Sequence, residues 1–155
     1  MAILLKSIFH NVGVVLVGFA LANLGTMVDS ILGFPALTSA LAPAVGWSLL
    51  ALGFLLRLWA TVYFYRHGMR VISLEPQSAL ITSGPYRFSR NPLYLGGNVF
   101  IFFGAALILG SPTALIATAI HLPLIDRFIR REERQLERRF GQEWQSYKRR
   151  VRRWL

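Results

Sequence analysis

No cysteine occurs in the chain, which excludes disulfides, thiolate metal sites and cysteine nucleophiles. Charge is also scarce: 15% of residues are charged, against about 25% in an ordinary soluble domain. Acidic residues are the rarest of these, 7 Asp and Glu against 17 Lys and Arg, so the net charge is +10. The three histidines, His10, His67 and His121, are scattered without metal-ligand spacing, and no metal site is expected. No Walker or GxGxxG signature is present, nor a Ser–His–Asp arrangement, an internal repeat or a low-complexity tract. What is abundant is apolar surface: 54% of the 155 residues are hydrophobic, which excludes disorder. High apolar content with a basic excess predicts a membrane protein whose charge lies outside the bilayer. A chain of this length leaves no room for a separate nucleotide-binding sheet, so any cofactor must bind to membrane helices and their short flanks.

Four apolar spans are expected, about 8–28, 43–65, 93–109 and 113–129. The first has no charged residue and is longer than the apolar region of a signal peptide, so it is expected to be retained. The second contains one charge, Arg57. The fourth follows the Gly110-Ser111-Pro112 turn and contains Pro123; it is expected to be tilted or kinked and paired with the third as a hairpin. Link 29–42 and turn 110–112 lack Lys and Arg, whereas link 66–91 carries Arg66, Arg70, Arg87 and Arg90. Residues 127–155 hold 11 basic residues against 4 acidic. Four crossings with both termini in the cytoplasm satisfy these counts. The fold class expected is an all-α integral membrane bundle of four spans, one domain over 1–155, with an amphipathic cytoplasmic helix at about 130–140 and a basic tail at 141–155. In a bacterium its place would be the inner membrane.

Two cytoplasmic segments depart from ordinary loops. In the first, Gly84-Pro85 makes a turn and Asn91-Pro92 a helix start, with Asn as cap and Pro at the first helical position. Tyr94, Gly96 and Gly97 then fall in the opening turns of the third span. The glycines would let a ligand or another helix approach the backbone. In the second, Ile125, Ile129, Leu136 and Phe140 form one helical stripe, and Glu132 falls on it. A carboxylate on a buried face needs a cationic partner, from the protein or from a ligand. Arg127, Arg130, Arg134 and Arg138 occupy another face, suited to anionic lipid headgroups. Gly141 is expected to stop this helix. Trp144 and Tyr147 read as interfacial aromatics, and Lys148–Arg153 as a headgroup-binding tail rather than a nucleic-acid site.

The run GPYRFSRNPLYLGG, followed after a hydrophobic hairpin by REERQLERRFGQEWQSYKRRV, resembles the isoprenylcysteine carboxyl methyltransferase and phospholipid methyltransferase superfamily over roughly residues 74–151. The resemblance implies a membrane-embedded methyltransferase that uses S-adenosylmethionine without a Rossmann domain or a metal. It places the cofactor in a cytoplasm-facing pocket between the two segments. The acceptor it implies is lipophilic and membrane-partitioned, most like an isoprenylcysteine-type carboxylate, with phospholipid N-methylation as the alternative. Many carboxyl methyltransferases of the family have His where this chain has Asn91; Asn occurs in phospholipid methyltransferase-like members. The candidate cofactor-binding residues are Tyr86, Arg90, Asn91, Tyr94, Gly96, Gly97, Glu132 and Glu133, and the candidate catalytic residues are Arg57, Arg90 and Glu133. Glu132 or Glu133 would pair with the cofactor ammonium or ribose hydroxyls, and Tyr94 would contact adenine or the sulfonium. Arg57 lies about 13 Å inside the cytoplasmic helix end by helical rise; it either snorkels to the interface or binds an anionic acceptor group. Glu75 is expected to be solvated. The rival of another class is a non-catalytic membrane module that binds anionic lipid or a partner through its basic tail.

Overall fold

A computed structural model describes residues 1–69 and 79–155; Arg70 and Glu75 lie outside the described residues. Its helices are α1 (Ala2–Leu32), α2 (Leu41–Arg66), α3 (Pro92–Ile108) and α4 (Pro112–Arg150), with a 3₁₀ turn at Gly84–Arg87. No strand occurs among the described residues. Helices α1, α2 and α4 are long and apolar enough to cross a membrane. Helix α3 is shorter, about 25 Å by helical rise against a hydrocarbon core of about 30 Å.

The packing inverts the pattern of a soluble bundle. The residues α1 buries are Ser7, Asn11, Gly18, Ala22, Gly25 and Asp29, a stripe of small and polar side chains. Its large apolar residues, such as Leu16, Leu21, Leu24 and Met27, face outward. Lipid tails are as apolar as leucine, so nothing drives leucines inward, and small residues that allow close backbone contact line the interior instead. The closest approach joins α2 to α3. A Cβ at Gly53 would lie 2.6 Å from the Gly96 carbonyl, and one at Gly46 would lie 2.7 Å from the Gly104 carbonyl. These partners are seven residues apart on α2 and eight on α3. A π-helical segment, Leu95–Ile101, contains the first of these α3 glycines and takes up the extra residue.

Both ends of the bundle are tied. At one end the Leu37 amide donates to the Gly110 carbonyl at 2.9 Å. Beside it Asp29 accepts from Ser111 Oγ at 2.5 Å and from the Thr113 amide at 3.0 Å. That carboxylate sits at the positive start of α4. At the other end Lys6 lies over the Tyr65 ring at 4.8 Å, which sets α1 and α2 antiparallel. Helix α4 passes through Pro123 with helical backbone angles and departs from them only at Gly141 (φ 49°, ψ −117°). Gly141 therefore breaks the helix as expected, but the chain resumes helix to Arg150, and the segment expected as a tail is largely helical.

Candidate functional site

The two segments singled out in the sequence meet at the end of the bundle that carries Lys6 and Arg66. Pro85 opens the 3₁₀ turn, and Tyr147 Oη donates to the Tyr86 carbonyl at 2.8 Å. Pro92 starts α3, which directs Tyr94 at α4; its hydroxyl donates to Glu132 Oε2 at 3.0 Å, and its ring meets Phe128 edge-on. Arg90 Nη2 pairs with Glu133 Oε1 at 3.2 Å, both side chains being buried. The Arg90 guanidinium also lies 5.5 Å from the Trp144 ring centroid, within cation–π range.

Glu133, not Glu132, is the more buried of the pair, at 6% exposure. The helical step moves the deepest position one residue along from the expected stripe, so that Ile129, Glu133 and Trp144 face inward while Glu132 stays half-buried. The cations that Glu133 requires come from the protein. Arg153 Nη2 lies 2.7 Å from Oε2, Arg153 Nε lies 3.2 Å from both oxygens, and Arg90 completes the set. Glu132 has one hydrogen-bond partner among the described residues, Tyr94, and burial raises its pKa above the ordinary carboxylate value despite that bond. Burial likewise lowers the pKa of Arg90, opposed by Glu133, and raises that of Tyr86.

Around these groups lies a cavity of about 30 Å³ lined by Tyr86, Arg90, Asn91, Glu132, Glu133 and Trp144, among others. The enclosed space holds about one water. Three of the residues that line it hold buried polar atoms without partners among the described residues: Arg90 Nε and Nη1, Tyr86 Oη and Trp144 Nε1. An unmade hydrogen bond at a buried donor costs about 1–3 kcal/mol. Guanidinium donors beside the half-buried Glu132 carboxylate suit a ligand bearing both an anionic and a cationic group.

Other expected residues are used differently. Asn91 is the N-cap residue of α3, but its side chain makes no cap; Nδ2 donates to the Arg153 carbonyl at 3.2 Å. Gly96 and Gly97 face α2: a Cβ at Gly96 would meet the Gly53 carbonyl at 2.7 Å, and one at Gly97 would meet Arg57 Nη1 at 2.9 Å. At both positions α2 occupies the space an added Cβ would need. Trp144 and Tyr147 are not interfacial; at 1% and 2% exposure they wall the cavity. Arg153 is not part of a free tail, being engaged by Glu133 and Asp126. Arg127, Arg130, Arg134 and Arg138 are exposed, as expected.

Arg57 does not snorkel. It is buried at 8% exposure, with Nη1 donating to the Leu93 carbonyl at 2.6 Å and Nη2 lying 3.0 Å from His10 Nε2. Asn11 Nδ2 donates to Thr61 Oγ1 at 3.0 Å, and Ser7 is buried nearby along α1. No carboxylate pairs with Arg57 among the described residues. Sequence reasoning missed Ser7, Asn11 and Thr61 and weighed His10 only as a metal ligand; their spacing on the inner face of α1 and α2 was the available signal. Among the described residues no three His, Asp or Glu converge to hold a metal.

Residues 41–143 match the family described as phospholipid methyltransferase. A Haemophilus influenzae protein described as uncharacterized is 41% identical over 58 residues, 37% of this chain and 92% of that protein. No solved structure matches the chain. With its apolar helical bundle, and with the matched region covering the first motif and the start of the second, the chain belongs to the phospholipid methyltransferase family of membrane methyltransferases.

Proposed function

We propose that the protein transfers a methyl group from S-adenosylmethionine to a lipophilic acceptor held in the membrane. One observation carries the reading: Tyr94–Glu132 and Arg90–Glu133 join the two motifs around a cavity lined by Arg90, two of whose buried donors lack a described partner. When bound, the cofactor supplies an electrophilic methyl on a sulfonium, and the protein's task is to bind, orient and exclude water. Arg90 Nε and Nη1 are suited to the cofactor carboxylate, and Glu132 to its ammonium or ribose hydroxyls. Glu133 holds Arg90 and is a positioning residue, while Tyr94 orients Glu132.

Arg57 is the candidate on the acceptor side. A buried guanidinium with no described carboxylate partner is matched by an anionic group on the acceptor, either a carboxylate or a phosphodiester. A carboxylate is already nucleophilic at neutral pH; an amine must first lose a proton. Phospholipid N-methylation stays as the alternative, favoured by the family that matches. The exposed Arg127, Arg130, Arg131 and Arg134, around an open groove with Leu124 and Phe128, suit anionic headgroups. Both termini are proposed to be cytoplasmic.

Calorimetry with S-adenosylhomocysteine, then transfer of labelled methyl to fractionated membrane lipids and prenylated thiol acids with product analysis, tests the reading. About one site per chain and one labelled lipid class are expected. Failure to bind the cofactor product favours a non-catalytic lipid-binding module. Arg57→Ala should spare cofactor affinity and depress turnover of an anionic acceptor, and Arg57→Lys should recover only part, lacking the planar fork. Normal turnover in Arg57→Ala removes that residue from the acceptor site.

A further inference from the structure

The last residues of the chain do not trail into solvent. After Arg150 the backbone turns extended at Val151 (φ −124°, ψ 130°) and runs beside residues 89–91. The Arg90 amide donates to the Arg152 carbonyl at 2.9 Å. Ser89 Oγ and Asn91 Nδ2 both donate to the Arg153 carbonyl, at 3.1 and 3.2 Å. Three consecutive residues of the first motif are thus bonded to a two-residue strap. From the same strap the Arg153 side chain reaches back over α4 to Glu133 and Asp126.

We propose that Arg153 is a positioning residue for the cofactor site, acting through Glu133 on Arg90. Glu133 is shared by two guanidiniums. Arg153 occupies it with Nε and Nη2, which leaves Arg90 a single contact, Nη2 to Oε1. Because Glu133 is already engaged by Arg153, Arg90 keeps Nε and Nη1 out of the ion pair, and these are the buried donors without a described partner. Without Arg153, a nearly buried carboxylate would be left with one cation and would draw it into a bidentate pair, since that geometry is the stronger one. Arg90 would then commit its free donors to Glu133. The strap therefore decides whether Arg90 is available to a ligand. This inference rests on the proposed cofactor site for its binding test, but not for its structural test.

The experiment uses the full chain in detergent or nanodiscs, with Arg153→Ala, Arg153→Lys, Arg153→Ala/Glu133→Gln and, as an exposed control, Arg138→Ala. Without cofactor, exchange of the Arg90 Nε–H proton should slow in Arg153→Ala, as Nε joins the pair with Glu133, and stay at the wild-type level in Arg138→Ala, because only the former frees Glu133. Unchanged exchange at Arg90 in Arg153→Ala overturns the proposal, whatever the protein binds. With S-adenosylhomocysteine, Arg153→Ala should weaken binding by roughly tenfold or more, the scale of one charge-assisted hydrogen bond. Arg153→Lys should recover part. Glu133→Gln added to Arg153→Ala should tighten binding again, because the competing carboxylate is gone. A merely structural arginine predicts no such recovery, so a double variant as weak as the single one, or weaker, overturns the positioning role. If the wild-type chain binds no S-adenosylhomocysteine, the cofactor reading falls, and the exchange result alone judges the strap.

Discussion

Adjacent glutamates in one helix have separate duties because one helical step divides their surroundings. Glu133 points into the bundle and is neutralised by Arg90 and Arg153, whereas Glu132 is half-buried with a single hydroxyl donor. In the proposed site Glu132 is thus the carboxylate left for a ligand. Glu132→Ala should weaken S-adenosylhomocysteine binding by roughly 10- to 150-fold, the loss of one charged partner, while the exposed Glu143→Ala should leave it unchanged; calorimetry compares them. The pH dependence follows from the raised pKa of Glu132. A proton on Glu132 must leave before it pairs with an ammonium, so affinity should rise as pH increases through that raised value and fall below it. Tyr94→Phe removes the hydrogen bond that lowers this pKa and should move the acid limb to higher pH. Glu132→Gln should flatten it.

At the scale of elements, the α2–α3 contact is the part least tolerant of added volume. Gly53→Ala places a Cβ 2.6 Å from a backbone carbonyl that cannot swing aside. Its expected cost is about 1–3 kcal/mol of overpacking, read as a lower melting temperature in detergent. Gly13→Ala meets nothing within 4 Å and should instead gain about 0.5–1 kcal/mol from reduced chain entropy. Equal shifts in both variants would contradict the close-packed interface. This contact also accounts for the two motif glycines. Their sequence position suits either a ligand or a helix, and α2 occupies the space at Gly96. Loss of cofactor affinity on enlarging Gly96 would therefore arise through displaced helices and the α3 start that carries Tyr94.

At the scale of the whole molecule, polarity is segregated between the two ends. Gly33, Leu37 and Gly110 gather at one, while Lys6, Arg66, Arg90 and the C-terminal strap gather at the other. Basic segments on one side predict that side to be cytoplasmic. A reporter fused after Leu155 and another inserted near Thr38 should therefore report opposite sides of the membrane; the same side from both would contradict the arrangement. The apolar groove of about 380 Å³ between α1, α3 and α4, lined by Leu21, Val28, Phe102 and Ala117, belongs to the half nearer Gly110. It lies away from the Arg90 cavity.

Beyond what the resemblance implied about the two segments, the sequence by itself determined the all-helical membrane class, the helix start at Pro92 and the break at Gly141. Each follows from local chemistry: apolar run length, proline and glycine geometry, and the spacing of charged residues. Only the tertiary structure decided which groups each segment would meet. A helical stripe locates a buried face to within one residue, and that one residue separates Glu132 from Glu133. Arg57 turned inward because the Leu93 carbonyl and His10, distant in sequence, provide hydrogen-bond partners there. Arg153 left the basic tail for Glu133 because the chain reverses at Val151 and brings it back over α4. Composition assigns a charge to a side of the membrane; the ion pair it makes depends on which buried partner the fold brings within about 3 Å.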